Sequence, residues 1–237
     1  ALLVDEVLPK KPIRQWVLSM PFDLRFLLAS QAKILTALLR IFMHNIFAYY
    51  RKTEPLPQCG AVAFIQRFDS ALNLNVHFHI VVLDGGYIVD ETGAPVFRPA
   101  SPPANQDLTH VSTQVAFKTR QLLTRKGFLD HLGEWVSDID QPVRPSLERL
   151  CRYVARPPFA NEQLIAYEND QVVFKLSKQR HNGATHAFMS AKKFLRRICS
   201  LIPPAKQTLV RYFGVLGPAA KLRPLIVPHC DIDLGLA

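Results

Sequence analysis

The run from Leu72 to Leu83, LNLNVHFHIVVL, closed by Asp84-Gly85-Gly86, leaves the backbone little choice. Apolar and polar residues alternate, β-branched and aromatic types are frequent, and a Gly-rich stop follows, which is the pattern of a strand. Residues two apart share a face. Leu72, Leu74, Val76, Phe78, Ile80 and Val82 therefore make an apolar side, and Asn73, Asn75, His77 and His79 line the other. A strand with so apolar a side is central, and its polar side then needs a purpose. Two imidazoles about 7 Å apart at the backbone can lean onto one ion. Solvated or hydrogen-bonded histidines are the plain alternative, and for an arbitrary His-x-His they are the commoner case. The polar run from Asn73 to His79 favours the metal. Two histidines leave a coordination shell unfinished, and a hard cation such as Mg²⁺ or Mn²⁺ keeps positions for water or a phosphate oxygen.

A second strand is expected over Ala61 to Phe68, folded back onto the histidine strand by the short polar link Asp69 to Ala71. With a four-residue loop, Gln66 sits opposite His77 on the same face, whereas a slip of one residue sends it to the other. Gln66 is thus the third-ligand candidate, with Asp69 and Asn75 behind it.

The 237 residues carry 29 Lys and Arg against 19 Asp and Glu, a net charge of +10. That balance points to a polyanionic partner, nucleic acid before a membrane surface. Ile34 to Tyr50 is the most apolar long stretch, but Arg40, His44 and Asn45 interrupt it, so it reads as a buried helix and not a membrane span. Cys59, Cys151, Cys199 and Cys230 show no C-x-x-C spacing and read as reduced cytoplasmic thiols. No signal peptide is visible, and Ala1 in place of an initiator suggests a domain cut from a longer protein.

The remaining elements follow from periodicity and punctuation. Arg14 to Met20 is a first strand; a helix from Phe22, with a break near Ser30, runs to about Lys52, its Arg25, Lys33 and Arg40 on a solvated face. Tyr87 to Asp90 and Pro95 to Arg98 form an edge hairpin. Gln106 to Lys126 is a helix with Leu108, Val111, Val115, Phe117, Leu122 and Leu123 as its apolar pattern and Lys118, Arg120, Arg125 and Lys126 outside; Phe128 to Val136 is a further short helix. Beyond Pro158, strands are expected over Gln163 to Glu168, Gln171 to Ser177 and Thr185 to Met189, a helix over Ala191 to Leu201, and a last strand over Thr208 to Phe213. Lys175, Lys178 and Arg211 make this part basic.

Pro145 to Pro158 holds the other informative helix, with Leu147, Leu150, Cys151 and Val154 as its buried stripe. Arg149, Arg152, Tyr153 and Arg156 occupy the stripe beside it. Cations next to a phenol favour phenolate, and Arg also clamps phosphate oxygens. A soluble helix surface with Arg for charge and Tyr for packing explains the same residues equally well.

His77-Phe78-His79 in a strand with a later helical Tyr resembles the His-hydrophobe-His (HUH) single-strand endonucleases. The text FIQRFDSALNLNVHFHIVVLDG, LCRYVARPP, NGATHAFMSAKKFLRRICSLIPP and LVRYFGVLGP is similar to rolling-circle transposases of the insertion-sequence common-region kind, over about Val4 to Pro228. The resemblance implies that His77 and His79 ligate a divalent metal, Mg²⁺ or Mn²⁺, and that Tyr153 is the nucleophile on single-stranded DNA. Related transposases carry a second Tyr four residues earlier. Arg149 stands there in this chain, which places it with the one-tyrosine branch. The family usually has a Cys-rich zinc-binding segment before the region where this sequence starts, and its members work in the bacterial cytoplasm at the nucleoid.

The resulting expectation is an α+β fold: a central antiparallel sheet with the histidine strand in its middle, long helices on one face, and the tyrosine helix across the other. Residues 1–158 form the endonuclease core, and 159–237 a β-rich basic extension that completes the fold and binds DNA. Arg149, Arg152, Arg156, Lys175, Lys178 and Arg211 are the candidate DNA contacts. Two rivals stand beside this reading. Histidine-triad hydrolases need a third histidine where Val81 stands. A non-catalytic nucleic-acid-binding domain on the same fold keeps DNA affinity without metal dependence.

Overall fold

The computed structural model describes residues 7–52, 54–69, 71–128, 139–143 (backbone only), 161–176, 179, 182–205 and 207–228. Tyr153, Arg149, Arg152, Arg156, Lys178 and the expected helix over Phe128 to Val136 lie outside this set, apart from Phe128 itself. The fold is α+β, built on antiparallel sheets with helices packed against them.

β1 (Ile13–Ser19), β2 (Gly60–Phe68), β3 (Leu74–Leu83), β6 (Ile139–Val143) and β10 (Val210–Gly214) form the main sheet in the order β10-β2-β3-β1-β6. The histidine strand β3 is therefore the middle strand, as its apolar side predicts. Both neighbours run antiparallel to it: Gln66 pairs with His77, Phe64 and Val17 flank His79, and Ser19 lies across from His77. The expected Gln66 register is the observed one.

The short strand β6 has no counterpart in the sequence reading. Its sequence is Ile-Asp-Gln-Pro-Val, and Pro142 has no N–H to give to a second neighbour, which confines such a segment to a sheet edge. β6 occupies that edge.

One face of the sheet is covered by helices. α1 (Phe22–Ser30) and α2 (Ala32–Tyr50) are set at 117° to one another across Gln31. α2 buries Ile34, Leu35, Leu38, Leu39, Phe42, Met43 and Ile46, positions that recur with the helical period and meet Val76, Phe78, Ile80 and Val82 of β3. α3 (Asn105–Arg125) packs on α2 through Val111, Val115 and Leu123. Phe117, expected in that stripe, is 56% exposed; the buried position goes to Thr119, which follows Val115 by four. Beneath this layer, Arg14 Nε and Nη2 donate to both carboxylate oxygens of Asp84 at 2.8 and 2.7 Å, and Tyr50 Oη donates to the same carboxylate at 3.2 Å. Among the described residues no single helix is long and apolar enough to cross a membrane.

The other face is divided. Val62, Phe64, Val81 and Leu83 are covered by Leu8, Tyr87, Val215, Leu216 and Leu222, a second apolar cluster. At Gly214 (φ 59°) a Cβ would stand 1.9 Å from the Cys59 carbonyl, so only glycine lets the chain turn from β10 into this cover. His77 and His79 lie on this same face, next along β3 from Val81. β4 (Gly85–Val89) and β5 (Pro95–Pro99) pair as the expected hairpin.

β7 (Leu164–Glu168), β8 (Gln171–Lys175) and β9 (His186–Ser190) form a three-stranded sheet, followed by α4 (Ala191–Leu201), whose first turn is capped by the Ser190 hydroxyl accepting from Lys193 N–H at 3.3 Å. α5 (Arg223–Ile226) is a single turn. Val172, Phe174, Met189 and Phe194 of this region bury Leu72, which sits in the β2–β3 turn at φ 58° and not in the strand. Asp69 explains the turn: its Oδ1 accepts from the N–H groups of Ala71 and Asn73 at 2.8 and 2.9 Å, and its Oδ2 from Asn73 Nδ2 at 2.9 Å.

Candidate metal and DNA site

His77, half-buried, and His79, buried, stand on the second face of the sheet, their ring centroids 4.9 Å apart. The carbonyl of Asn75 lies 2.8 Å from His77 Nδ1. Only a donor satisfies a carbonyl, so Nδ1 carries the proton and the lone pair is on Nε2, the tautomer that metal-binding histidines adopt. His79 is held from both sides, by Gln15 Nε2 at 2.7 Å from its Nδ1 and by Gln66 Oε1 at 3.1 Å from its Nε2. It is 5% exposed, and burial, with the neighbouring His77 adding to it, lowers its pKa to about 4. At neutral pH this ring is uncharged, as a ligand must be.

The donors fit a hard divalent cation. Nε2 of His79 and Oε1 of Gln66 are separated by 3.1 Å, close to the roughly 3.0 Å between adjacent ligands of an octahedron with bonds of about 2.1 Å. Asn75 Oδ1, two residues before His77 on the same face, is buried with no hydrogen-bond partner among the described residues. Among those residues no third His, Cys, Asp or Glu joins the pair. Two imidazoles and amide oxygens form an uncharged set, which leaves the full charge of an ion for a phosphate.

Of the reserve ligands, Asp69 accepts three hydrogen bonds in its turn, whereas Asn75 Oδ1 accepts none among the described residues. Gln15 was not singled out by sequence. Its position between the buried Arg14 and Trp16 in a strand was the available signal, but only the β1–β3 pairing, which sets Gln15 across from Val81, brings it to His79.

Lys175 ends β8 and is exposed in the three-stranded sheet that packs on the β2–β3 turn. Arg211 stands apart from the histidines. It pairs with Ala63, which faces the helices, and its Nη1 donates to Thr36 of α2 at 2.9 Å. Adjacent Val210 pairs with Phe64 and so takes the histidine side.

The strand β6 leads toward the segment that carries Tyr153. Val143, its last residue, pairs with Gln15, the residue bonded to His79.

Comparison with known proteins bears on this arrangement. The Y2_Tnp family model, described as "Putative transposase", matches residues 60–223. The chain belongs to this transposase family. The matched span runs from the start of β2 to the start of α5 and includes His77, His79, Gln66, Tyr153 and Arg211. No curated protein and no solved structure matches the chain. Membership gives a function in transposition, hence a nucleic-acid-processing enzyme whose substrate is DNA, which agrees with the net charge of +10.

Proposed function

We propose that this transposase is a rolling-circle enzyme of the HUH type that nicks and rejoins single-stranded DNA through a 5′-phosphotyrosine on Tyr153. The observation that carries the reading is the convergence of His77, His79 and Gln66 on the two central strands, with Gln15 behind them and paired to the strand that precedes the tyrosine segment.

Neighbouring strands lie about 4.8 Å apart, so β6 runs roughly 10 Å from β3. Nine residues lie between Val143 and Tyr153 in the sequence, which extended can span up to about 33 Å. That is enough chain to return the phenol to the histidines.

His77, His79 and Gln66 would hold Mg²⁺ or Mn²⁺, which polarises a phosphate oxygen and fixes the phosphate in line with its attacker. Tyr153 Oη forms the new bond to phosphorus as the bond to O3′ breaks, and the phenolic proton ends on O3′. The products are a 5′-phosphotyrosyl strand and a free 3′-hydroxyl. One ester replaces another, so the step reverses without a nucleotide triphosphate. Arg149, Arg152 and Arg156, at helical spacing around Tyr153, favour phenolate and neutralise developing charge. Residues 1–158 perform this chemistry, while Lys175, Lys178 and Arg211 of the extension 159–237 hold the strand. The setting is the bacterial cytoplasm, at the nucleoid.

A labelled single-stranded oligonucleotide carrying an element end, incubated with the protein and Mn²⁺, tests the assignment. The protein cuts it, and His77→Ala abolishes cutting while retaining DNA affinity. Undiminished cutting by His77→Ala, or cutting in EDTA, is the contrary result.

A further inference from the structure

On the helix side of the sheet, a groove of about 370 Å³ opens between α2 and a wall that carries Ala205, Gln207 and Arg211. Lys33, Thr36 and Arg40 line it from one helix stripe, and Gln207 and Arg211 from the opposite wall. Among the described residues, three cations converge there and none of the lining residues is acidic. Arg211 is drawn in by its bonds to Thr36 Oγ1 and to the Thr208 carbonyl. Its pKa is lowered by burial and by the like charge of Arg40. Both amide atoms of Gln207 are buried with no hydrogen-bond partner among the described residues. A buried carboxamide without partners is costly, and guanidinium groups pushed together want a counter-anion. The volume is an order of magnitude above that of a water molecule.

We propose that this groove is a second phosphate site, across the sheet from the histidine pair, which grips the sugar–phosphate backbone of the DNA. Arg40 and Arg211 pair with phosphate oxygens, Lys33 adds charge at the rim, and the Gln207 amide completes the hydrogen bonding. The groove is open along α2, which suits a continuing strand better than a free ion. Because Arg211 and His79 stand on opposite faces, the groove holds a different phosphate from the one that is cut. The inference rests on the DNA-processing reading but not on the tyrosine chemistry.

The test is fluorescence anisotropy of a labelled single-stranded oligonucleotide with the full chain in EDTA, titrated across NaCl concentrations. Arg40→Gln, an exposed change, weakens binding several-fold and flattens the slope of log K against log salt by about 0.7. Arg211→Gln does the same, and Gln207→Leu weakens binding with the slope unchanged. Lys126→Gln, at the end of α3, is the control for general charge. Unchanged affinity in Arg40→Gln and Arg211→Gln overturns the proposal, and so does an equal loss in Lys126→Gln. Inorganic phosphate, titrated calorimetrically in the absence of DNA, separates the sources: tight binding that the oligonucleotide does not displace makes the groove a free-phosphate site and overturns it too. Failure of nicking in the native protein leaves all of these readouts intact, so the two proposals fail separately.

Discussion

His79 Nε2 stands 3.1 Å from Oε1 of Gln66, the residue that pairs with neighbouring His77 on the adjacent central strand. On the opposite side of the same ring, Gln15 closes the contact at Nδ1. With the Gln15 amide donating, Nε2 carries the proton and offers it to Gln66. Turned over, Gln15 accepts from Nδ1–H and the lone pair passes to Nε2, facing the space that Gln66 also faces. The orientation of the Gln15 amide thus sets which nitrogen of His79 carries the proton.

The proposed metal site makes a prediction for each of these residues. His77→Ala removes Mn²⁺ binding measured by calorimetry, Gln66→Ala weakens it, and Gln15→Leu, which touches no ion, costs about 10- to 100-fold in affinity. Retention of native affinity in Gln15→Leu would remove it from the site.

The depressed pKa of His79 makes a separate claim about stability. Its folded value of about 4 lies below the ordinary 6.5, so between these values the unfolded chain binds the extra proton. Stability of the metal-free protein is therefore full above pH 6.5 and falls as the pH drops toward 4, by at most about 3 kcal/mol from this group. Urea midpoints across that range check the sign, and His79→Asn flattens the dependence.

Arg14 and Asp84 form a buried pair, 4% and 0% exposed. Asp84→Ala strands the guanidinium under the helix layer and costs about 3–5 kcal/mol in urea unfolding, whereas Arg14→Met with Asp84→Leu recovers most of that loss.

Asp69 holds the β2–β3 turn. Asp69→Ala removes three hydrogen bonds at the β2–β3 connection and lowers stability by about 1–3 kcal/mol. Mn²⁺ affinity measured on the same variant stays within about 2-fold of the native value.

The sequence carried the sheet's centre and one side of its site. Alternation along β3 is a local signal and the β2–β3 link is short, so a four-residue loop sets Gln66 opposite His77; the structure keeps that pair and takes up the difference as a register shift between Gln66 and Phe68. Gln15 could not, because β1 reaches β3 from some sixty residues away and nothing local specifies that pairing. β6 escaped for a related reason: five residues containing Pro142 have no strand periodicity, and only an edge position makes them a strand. Lys33 and Arg40 read as solvated surface because their partner in the groove, Arg211, is over 170 residues distant. Leu72 continued the alternation on paper, but the Asp69 turn and the apolar cluster of the C-terminal sheet decide its conformation.

If Tyr153 and the histidine pair act on one phosphate, the covalent product is visible to intact-protein mass spectrometry with peptide mapping. After incubation with a single-stranded element end and Mn²⁺, the protein gains the mass of the 5′-phosphorylated fragment on the peptide holding Tyr153, and Tyr153→Phe and His77→Ala gain nothing. An adduct that persists in Tyr153→Phe, or maps to another peptide, would contradict the account.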